Sequence, residues 1–178
     1  IKYPSLVLRS ISGLFGVFLF FYALQNLPLA EASLLNKLSP FVVVLLARIF
    51  LGEPTTKKSI VAMVIAFIGT IFVINPGSGY SLWPSLAGIG SAFFAGSAFT
   101  TIRSLKGKIK PHLIVFFFSL FSTVIILPFV IFKGAIPDSH QLLLLTATGV
   151  FAGLGQYALT KAFHYSPAGK VSVLSYLS

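Results

Sequence analysis

The residue that most strongly suggests a functional site is Lys37, which lies inside a long apolar stretch six residues after Glu31. Six residues of helix correspond to roughly 9 Å of rise, so the amine is expected well inside that stretch. A charge at such depth in a membrane is costly unless it faces a cavity or a partner. We predict that Lys37 faces a cavity and attracts a carboxylate or another anion. The alternative is that its amine extends to the external surface.

Three neighbours share a helical face with this lysine. Ser33, Asn36, Lys37 and Pro40 follow the spacing i, i+3, i+4, i+7, which places them on one side of a helix. Pro40 has no amide proton and leaves a carbonyl near position 36 without a helical donor. The pattern therefore predicts a polar strip with a free backbone acceptor that could bind a ligand or water.

The same stretch occurs twice in the chain. Setting Ala23 on Ala162 gives a shift of 139 (162 − 23) and aligns ALQNLPLAEASLLNKLSP with AFHYSPAGKVSVLSYLS. The matched pairs are Gly16 with Gly155, Pro28 with Pro167, Ser33 with Ser172, Leu35 with Leu174, Leu38 with Leu177 and Ser39 with Ser178. A run without gaps that keeps the turn proline indicates an internal repeat.

The repeat extends the candidate ligand-binding set to both halves of the chain. Ser172, Ser175 and Tyr176 take the places of Ser33, Asn36 and Lys37. Hydrogen-bonding groups in an otherwise apolar wall are typical of solute sites. The candidate set is Tyr22, Gln25, Ser33, Asn36, Lys37, Gln156, Tyr157, Ser172, Ser175 and Tyr176. The alternative is that these groups hydrogen-bond neighbouring helices or, for the tyrosines, anchor at the membrane interface.

Composition requires that these residues lie in a bilayer. The chain has 178 residues, of which 56% are hydrophobic and 9% charged, whereas a soluble domain carries about 25% charged residues. Cysteine is absent, so no disulfide framework or cysteine-based metal site is possible within these residues. The carboxylates and histidines are too scattered to predict a metal site, and no cofactor is expected.

Seven apolar segments are predicted as membrane spans. They cover about 8–27, 31–51, 58–74, 83–101, 113–132 and 141–163, with a seventh from about 168. Each complete segment approaches the ~20 residues that cross a bilayer. Pro128 predicts a kink in the fifth. Gly88, Ala92 and Gly96, and Gly149 with Gly153, are spaced four apart and predict close helix packing.

The net charge of +10 is explained by topology. With alternating spans, nearly all cations fall at one set of ends: Lys2, Arg9, Arg48, Lys57, Lys58, Arg103, Lys106, Lys108, Lys110, Lys161 and Lys170. Such an excess marks the cytoplasmic face, so nucleic-acid binding is not expected. The first span then runs outward, and His112, His140 and His164 are expected to be solvated at span ends.

The two proline turns lie on opposite sides in this topology, and the repeats are therefore inverted. Inverted repeats that meet near the membrane midplane are typical of secondary transporters. The predicted fold is an all-α polytopic membrane protein. A non-transporting scaffold or accessory subunit is the alternative, and a membrane-embedded enzyme is disfavoured because no nucleophile, base and metal set lies at membrane depth.

The chain resembles the EamA-type transporters of the drug/metabolite transporter superfamily. The residues that carry this resemblance are Ala23-Leu24, Pro28, Ala32-Ser33-Leu34-Leu35, Leu38-Ser39-Pro40, Leu51-Gly52-Glu53-Pro54, Gly69-Thr70, Ala158-Leu159, Ala162, Ser166-Pro167-Ala168 and Ser172 to Leu177. The resemblance implies ten spans in two inverted five-helix repeats, of which this chain supplies the third through ninth. Residues 1–76 would end the first repeat, and residues 77–178 would belong to a truncated second repeat.

The resemblance implies transport of a small organic metabolite, such as an amino acid or a drug-like solute, by alternating access. The expected partners are that solute and the lipid bilayer, and the expected location is a bacterial inner membrane. The resemblance does not indicate the substrate, the coupling mode or the oligomeric state.

Overall fold

The structure is a computed structural model that describes residues 3–74, 82–134, 137–174 and 176. These residues form helices throughout. The helices are α1 (Tyr3–Asn26), α2 (Leu29–Asn36), α3 (Ser39–Leu51), α4 (Lys57–Ile74), α5 (Leu82–Ser104), α6 (Pro111–Lys133), α7 (Ser139–Tyr165) and α8 (Ala168–Leu174). The predicted all-α class is confirmed.

Local sequence signals set several helix ends. Gly52 and Gly134 end α3 and α6 in the left-handed region, with φ of +64° and +61°, which glycine adopts without steric cost. Asp138 and Gln141 form a capping box at the start of α7. The Gln141 amide donates to Asp138 Oδ1 at 2.7 Å, and the Asp138 amide donates to Gln141 Oε1 at 3.2 Å. These caps satisfy backbone groups that a helix end would leave unpaired.

Most predicted spans correspond to single helices. Five stretches of the described chain are long and apolar enough to cross a membrane: Pro4–Asn26, Leu29–Leu51, Leu82–Ser104, Pro111–Phe132 and Ser139–Tyr165. Large apolar side chains such as Phe129 and Phe132 are exposed at 68% and 90%, as lipid-facing groups are. The chain is an integral, multi-pass membrane protein.

The second predicted span differs from the structure. The sequence predicts one continuous helix, whereas the structure breaks it into α2 and α3 at Lys37 and Leu38. Pro40 explains the break because its ring cannot donate a hydrogen bond and clashes with the carbonyl four residues earlier. Pro128, by contrast, lies inside α6 without ending it.

Helices α3, α5 and α7 end on the same face of the bundle. Glu53 after α3, Arg103 at the end of α5 and the His164 carbonyl near the end of α7 are joined by hydrogen bonds. We call this end the lysine-rich face, because it carries the exposed Lys57, Lys58, Lys106, Lys108 and Lys161. The largest buried apolar cluster lies near it and joins six helices: Leu6, Val43, Ala47, Ile102, Leu105, Ile114, Phe163, Ala168 and Val171.

Small residues allow α5 to pack closely against α2 and α3. A Cβ atom built on Gly88 would lie 2.6 Å from Leu35 Cδ1, and one on Gly96 would lie 2.6 Å from Val42 Cβ. The predicted packing role is thus confirmed for α5. On α7 the structure differs, because Gly149 and Gly153 have no atom within 4 Å of such a Cβ in the described chain.

We predict that Gly96→Ala destabilises the protein by about 1–3 kcal/mol, because the added methyl group overlaps Val42 and approaches the Ser39 carbonyl. Gly149→Ala is the matched control, because its methyl group meets no described atom. Thermal unfolding of the purified protein in detergent measures both. Equal melting temperatures for the two variants would contradict the packing role of Gly96.

Candidate functional site

The break between α2 and α3 leaves the Lys37 carbonyl outside the regular helical pattern. The Lys37 amide still bonds the Ser33 and Leu34 carbonyls, at 3.0 and 3.1 Å. The Lys37 carbonyl accepts a hydrogen bond from the hydroxyl of Tyr176 at 2.8 Å. A backbone acceptor inside an apolar span requires such a donor, because lipid supplies none. The predicted free carbonyl is thus found one residue later, and a side chain satisfies it.

Tyr176 is also the residue that the internal repeat aligns with Lys37. The two residues are separated by 139 positions, which is the repeat shift. Two equivalent residues can touch each other only close to the axis that relates their units. The contact therefore indicates that the pseudo-two-fold axis of the repeat passes near the helix break.

The local structure of the two proline turns follows the same shift. Helix α1 ends at Asn26 and α2 begins at Leu29, while α7 ends at Tyr165 and α8 begins at Ala168. In the first turn the Pro28 carbonyl accepts from the amides of residues 31 and 32, at 3.0 and 3.1 Å. In the second, the Pro167 carbonyl accepts from those of residues 170 and 171, at 3.1 and 3.4 Å. The repeat is therefore present in the local structure of these turns as well as in the sequence.

A cavity of about 240 Å³ lies between α1, α2, α5, α6 and α7. Its polar lining comes from Arg9, Asn36 and Gln156. Its remaining lining residues are Gly13, Gly16, Val17, Phe20, Ala95, Ala98, Phe99 and Phe118. An apolar wall with a few converging polar groups is the usual form of a small-molecule site.

Asn36 is held in the cavity wall by a hydrogen-bond chain. Its Nδ2 donates to Ser91 Oγ at 3.1 Å, and Ser91 Oγ donates to the Gly88 carbonyl at 2.7 Å. Ser91 is fully buried. These hydrogen bonds orient the amide of Asn36 and connect the helix break to α5.

The structure brings only part of the predicted ligand-binding set together. Asn36 and Gln156 line the cavity, and Tyr176 touches Lys37 beside it. Ser33 and Lys37 are half-buried, and Ser172 is buried on α8. The remaining members do not line the cavity: Tyr22 and Gln25 are exposed near the end of α1, and Tyr157 is exposed at 37% with Lys161 Nζ 5.3 Å from its ring centroid. Ser175 lies outside the described residues.

Arg9 is the residue that sequence reasoning missed. Arg9 is predicted among the cationic span ends, but in the structure its side chain is buried, at 2% exposure. Its guanidinium lies over the Phe118 ring, with Cζ 4.2 Å from the centroid. The sequence feature that accompanies this burial is Gly13, one helical turn after Arg9. A Cβ at Gly13 would lie 2.3 Å from Arg9 Nη1, so glycine leaves room for the guanidinium.

A hydrogen-bonded network joins the helix ends at the lysine-rich face. Arg103 Nε donates to Glu53 Oε1, and Arg103 Nη1 donates to the His164 carbonyl at 3.1 Å. Glu53 Oε2 accepts from the Ala168 amide at 2.9 Å, which pairs a free donor at the start of α8. We call these four residues the Glu53 clamp. It fastens the loop after α3 to α5, α7 and α8.

The prediction that His164 is solvated is wrong. The side chain is 5% exposed, and its Nε2 lies 3.0 Å from the Ile109 carbonyl. It packs beneath the connection between α5 and α6, which sequence spacing could not reveal. His112 and His140 are exposed, as predicted.

We predict that Glu53→Gln loosens the lysine-rich face, because it removes the charge that pairs with Arg103. The reporter is Ser59→Cys, since Ser59 Oγ donates to the Gly169 carbonyl at 3.1 Å and reports the gap between α4 and α8. The chain itself has no cysteine, so its labelling background is low. A membrane-impermeant maleimide should label the Glu53→Gln protein several times faster.

The matched control for the clamp is Lys106→Gln, which removes an exposed cation from the same face. It should leave the labelling rate of Ser59→Cys unchanged. If Ser59→Cys is labelled at the same rate with and without Glu53→Gln, the ion pair does not hold this face together.

The described residues contain no group of three or more His, Asp or Glu side chains that could hold a metal ion. The cavity contains hydrogen-bonding side chains, one cationic side chain and aromatic rings.

Comparison with known proteins identifies the architecture. The model of the EamA-like transporter family matches residues 1–75 and 82–178. The pseudopaline exporter CntI of Pseudomonas aeruginosa is 33% identical over 98% of this chain and 62% of its own length. A riboflavin transporter of Brucella anthropi is 31% identical over 91% of this chain and 59% of its own length.

The fold also matches a solved crystal structure. The superposition has a TM-score of 0.81 at 23% identity and covers 98% of this chain and 63% of the other. This chain thus spans about 62% of the length of the relative that exports pseudopaline.

Proposed function

This chain belongs to the EamA-like transporter family, and we propose that it carries a small organic solute across the membrane by alternating access. The family is one of transporters rather than enzymes, which agrees with the prediction from the sequence that this chain is not an enzyme. The whole protein's activity is part of this proposal, because the chain covers 62% of its pseudopaline-exporting relative.

The contact between Tyr176 and the Lys37 carbonyl is the observation that carries the proposal. It joins the equivalent positions of two inverted units at a broken helix. In transporters with inverted repeats, solute sites lie near the midplane where discontinuous helices meet. Helix α2 supplies eight residues before the break, or roughly 12 Å of helix, so the break is expected inside the bilayer.

We place the solute beside this contact. The proposed site keeps the full predicted set, namely Tyr22, Gln25, Ser33, Asn36, Lys37, Gln156, Tyr157, Ser172, Ser175 and Tyr176. Asn36 and Gln156 have the strongest support because they line the cavity, and Tyr176 follows because it touches the break. Tyr22, Gln25 and Tyr157 would reach the solute only if the units moved relative to each other.

The Glu53 clamp supports a gating role for the lysine-rich face. It joins a loop that follows α3 to helices of the second half, so it must open if solute is to pass at that end. The excess of cations predicts that this face is cytoplasmic. In the proposed mechanism, a form with these contacts has its cytoplasmic end held together.

The relatives give the substrate class only in outline. One is named as an exporter of pseudopaline and another as a transporter of riboflavin. Both names describe organic metabolites, which supports a small organic solute for this chain. The division into units at residues 1–76 and 77–178 also remains a proposal.

We predict that Tyr176→Phe lowers transport several-fold with little change in folding. The substitution keeps the ring that packs edge-on against Phe41, at 6.4 Å between centroids, and removes only the hydroxyl donor. Loss of one such bond costs about 1 kcal/mol. Uptake by full-length protein in liposomes, across a library of small organic solutes, is the measurement. Tyr165→Phe, at an exposed position, is the control.

Lys37→Ala tests the ligand-binding role of the amine in the same assay. We expect solutes that stabilise the wild-type protein against heat to stabilise this variant less. Equal stabilisation of the two proteins would be consistent with the transport proposal but would show that the Lys37 amine does not bind the solute. If no solute in a broad library is taken up, the transport proposal fails and a scaffold role replaces it.

A further inference from the structure

The guanidinium of Arg9 is a buried charge that the described part of the chain leaves without a counter-ion. Arg9 is 2% exposed, and its Nε has no hydrogen-bond partner. Among the described residues the salt bridge joins Arg103 to Glu53, so no described carboxylate pairs with Arg9. Arginine cannot lose its proton in a protein, so the charge persists.

The surroundings of Arg9 are shaped for a guanidinium. A Cβ on Gly13 would lie 2.3 Å from Arg9 Nη1 and 2.8 Å from Phe118 Cε2, so glycine leaves the space that the two groups occupy. The Phe118 ring lies below the cation at 4.2 Å. This contact contributes a cation–π attraction, but it supplies no hydrogen-bond acceptor. The guanidinium is thus held in position, and its buried Nε has no hydrogen-bond partner among the described residues.

The same guanidinium lines the cavity that contains Asn36 and Gln156. On α1 the lining extends from Arg9 to Phe20, or roughly 16 Å of helix, which covers the middle of the span. Phe20, Phe99 and Phe118 form its aromatic wall. The volume of about 240 Å³ lies just below the ~300 Å³ at which ligand pockets begin, so it suits a small solute.

We infer that Arg9 binds the anionic group of the transported solute, and that this solute is a small aromatic carboxylic acid. The inference rests on the proposed transport function and names its substrate class. A carboxylate accepts two parallel hydrogen bonds from a guanidinium. The aromatic body of the solute would lie against the phenylalanine wall, with Asn36 and Gln156 available to its remaining polar groups.

The binding test compares two probes of the same shape, phenylacetate and phenylacetamide. Thermal stabilisation of purified full-length protein is measured for the wild type and for Arg9→Met, which keeps most of the apolar stem and removes the charge. Phenylacetate should stabilise the wild type, with apparent affinity at least about tenfold weaker in Arg9→Met, as expected for one charged hydrogen-bonding pair. Weak stabilisation by phenylacetamide, if any, should be the same in both proteins.

Stability without ligand provides an independent test of the unpaired charge. Replacing an uncompensated buried cation by an apolar group is stabilising, so Arg9→Met should melt at the same temperature as the wild type or higher. If Arg9 were paired with a carboxylate elsewhere in the full-length protein, the substitution would strand that carboxylate and lower the melting temperature. A clear decrease would therefore overturn the inference.

Gly13→Ala keeps the charge but displaces the guanidinium. It should weaken the binding of phenylacetate more than that of phenylacetamide, because the added methyl group displaces the guanidinium but approaches the Phe118 ring for both probes. This variant keeps the test decisive even if Arg9→Met folds poorly.

Three further results would overturn the inference. They are no response of the wild type to phenylacetate, equal affinity in Arg9→Met, and a response to inorganic phosphate as strong as that to phenylacetate. Uptake in liposomes separates this inference from the transport proposal. Uptake of neutral solutes only would support the transport proposal and overturn the proposed acid site. Phenylacetate binding without any uptake would support the acid site and overturn the transport proposal.

Discussion

A bilayer provides no hydrogen-bond partner for a backbone carbonyl, and this constraint organises the centre of the molecule. Pro40 breaks the second span, and the Lys37 carbonyl that results must find a donor from another helix. The donor is the hydroxyl of Tyr176, at 2.8 Å. Because that tyrosine occupies the equivalent place in the second unit, one local requirement of the backbone also fixes how the two inverted units meet.

The lysine-rich face and the middle of the bundle are built differently. At the lysine-rich face, the Glu53 clamp and a large apolar cluster hold α3, α5, α7 and α8 together. Toward the middle, the cavity contains an unpaired guanidinium and two amides. Strong contacts at one end, and in the middle a buried guanidinium nitrogen without a hydrogen-bond partner among the described residues, agree with the proposed transport by alternating access.

Much of the fold could be predicted from sequence because apolar periodicity and turn residues are local signals. The proline turns, the repeat shift and most spans follow from such signals, and the relation of Lys37 to Tyr176 was already present in the alignment. The positions of Arg9 and His164 could not be predicted in this way. Both lie near span ends in sequence, where cations and histidines are usually solvated. In the structure Arg9 contacts Phe118 of α6 and His164 lies against the Ile109 carbonyl, and neither contact is visible in the local sequence. For the same reason, Tyr22 and Tyr157 met the polarity requirement of a site without facing its cavity.

In the proposed mechanism, two inverted units move relative to each other about the contact between Lys37 and Tyr176. Paired spin labels on the full-length protein in liposomes test it most directly. One pair at the exposed Lys57 and Lys161 reports the lysine-rich face, and another at the exposed Leu29 and His140 reports the opposite face. Adding a transported solute should lengthen one distance distribution and shorten the other. Distances that both stay fixed, or that change in the same sense, would contradict alternating access.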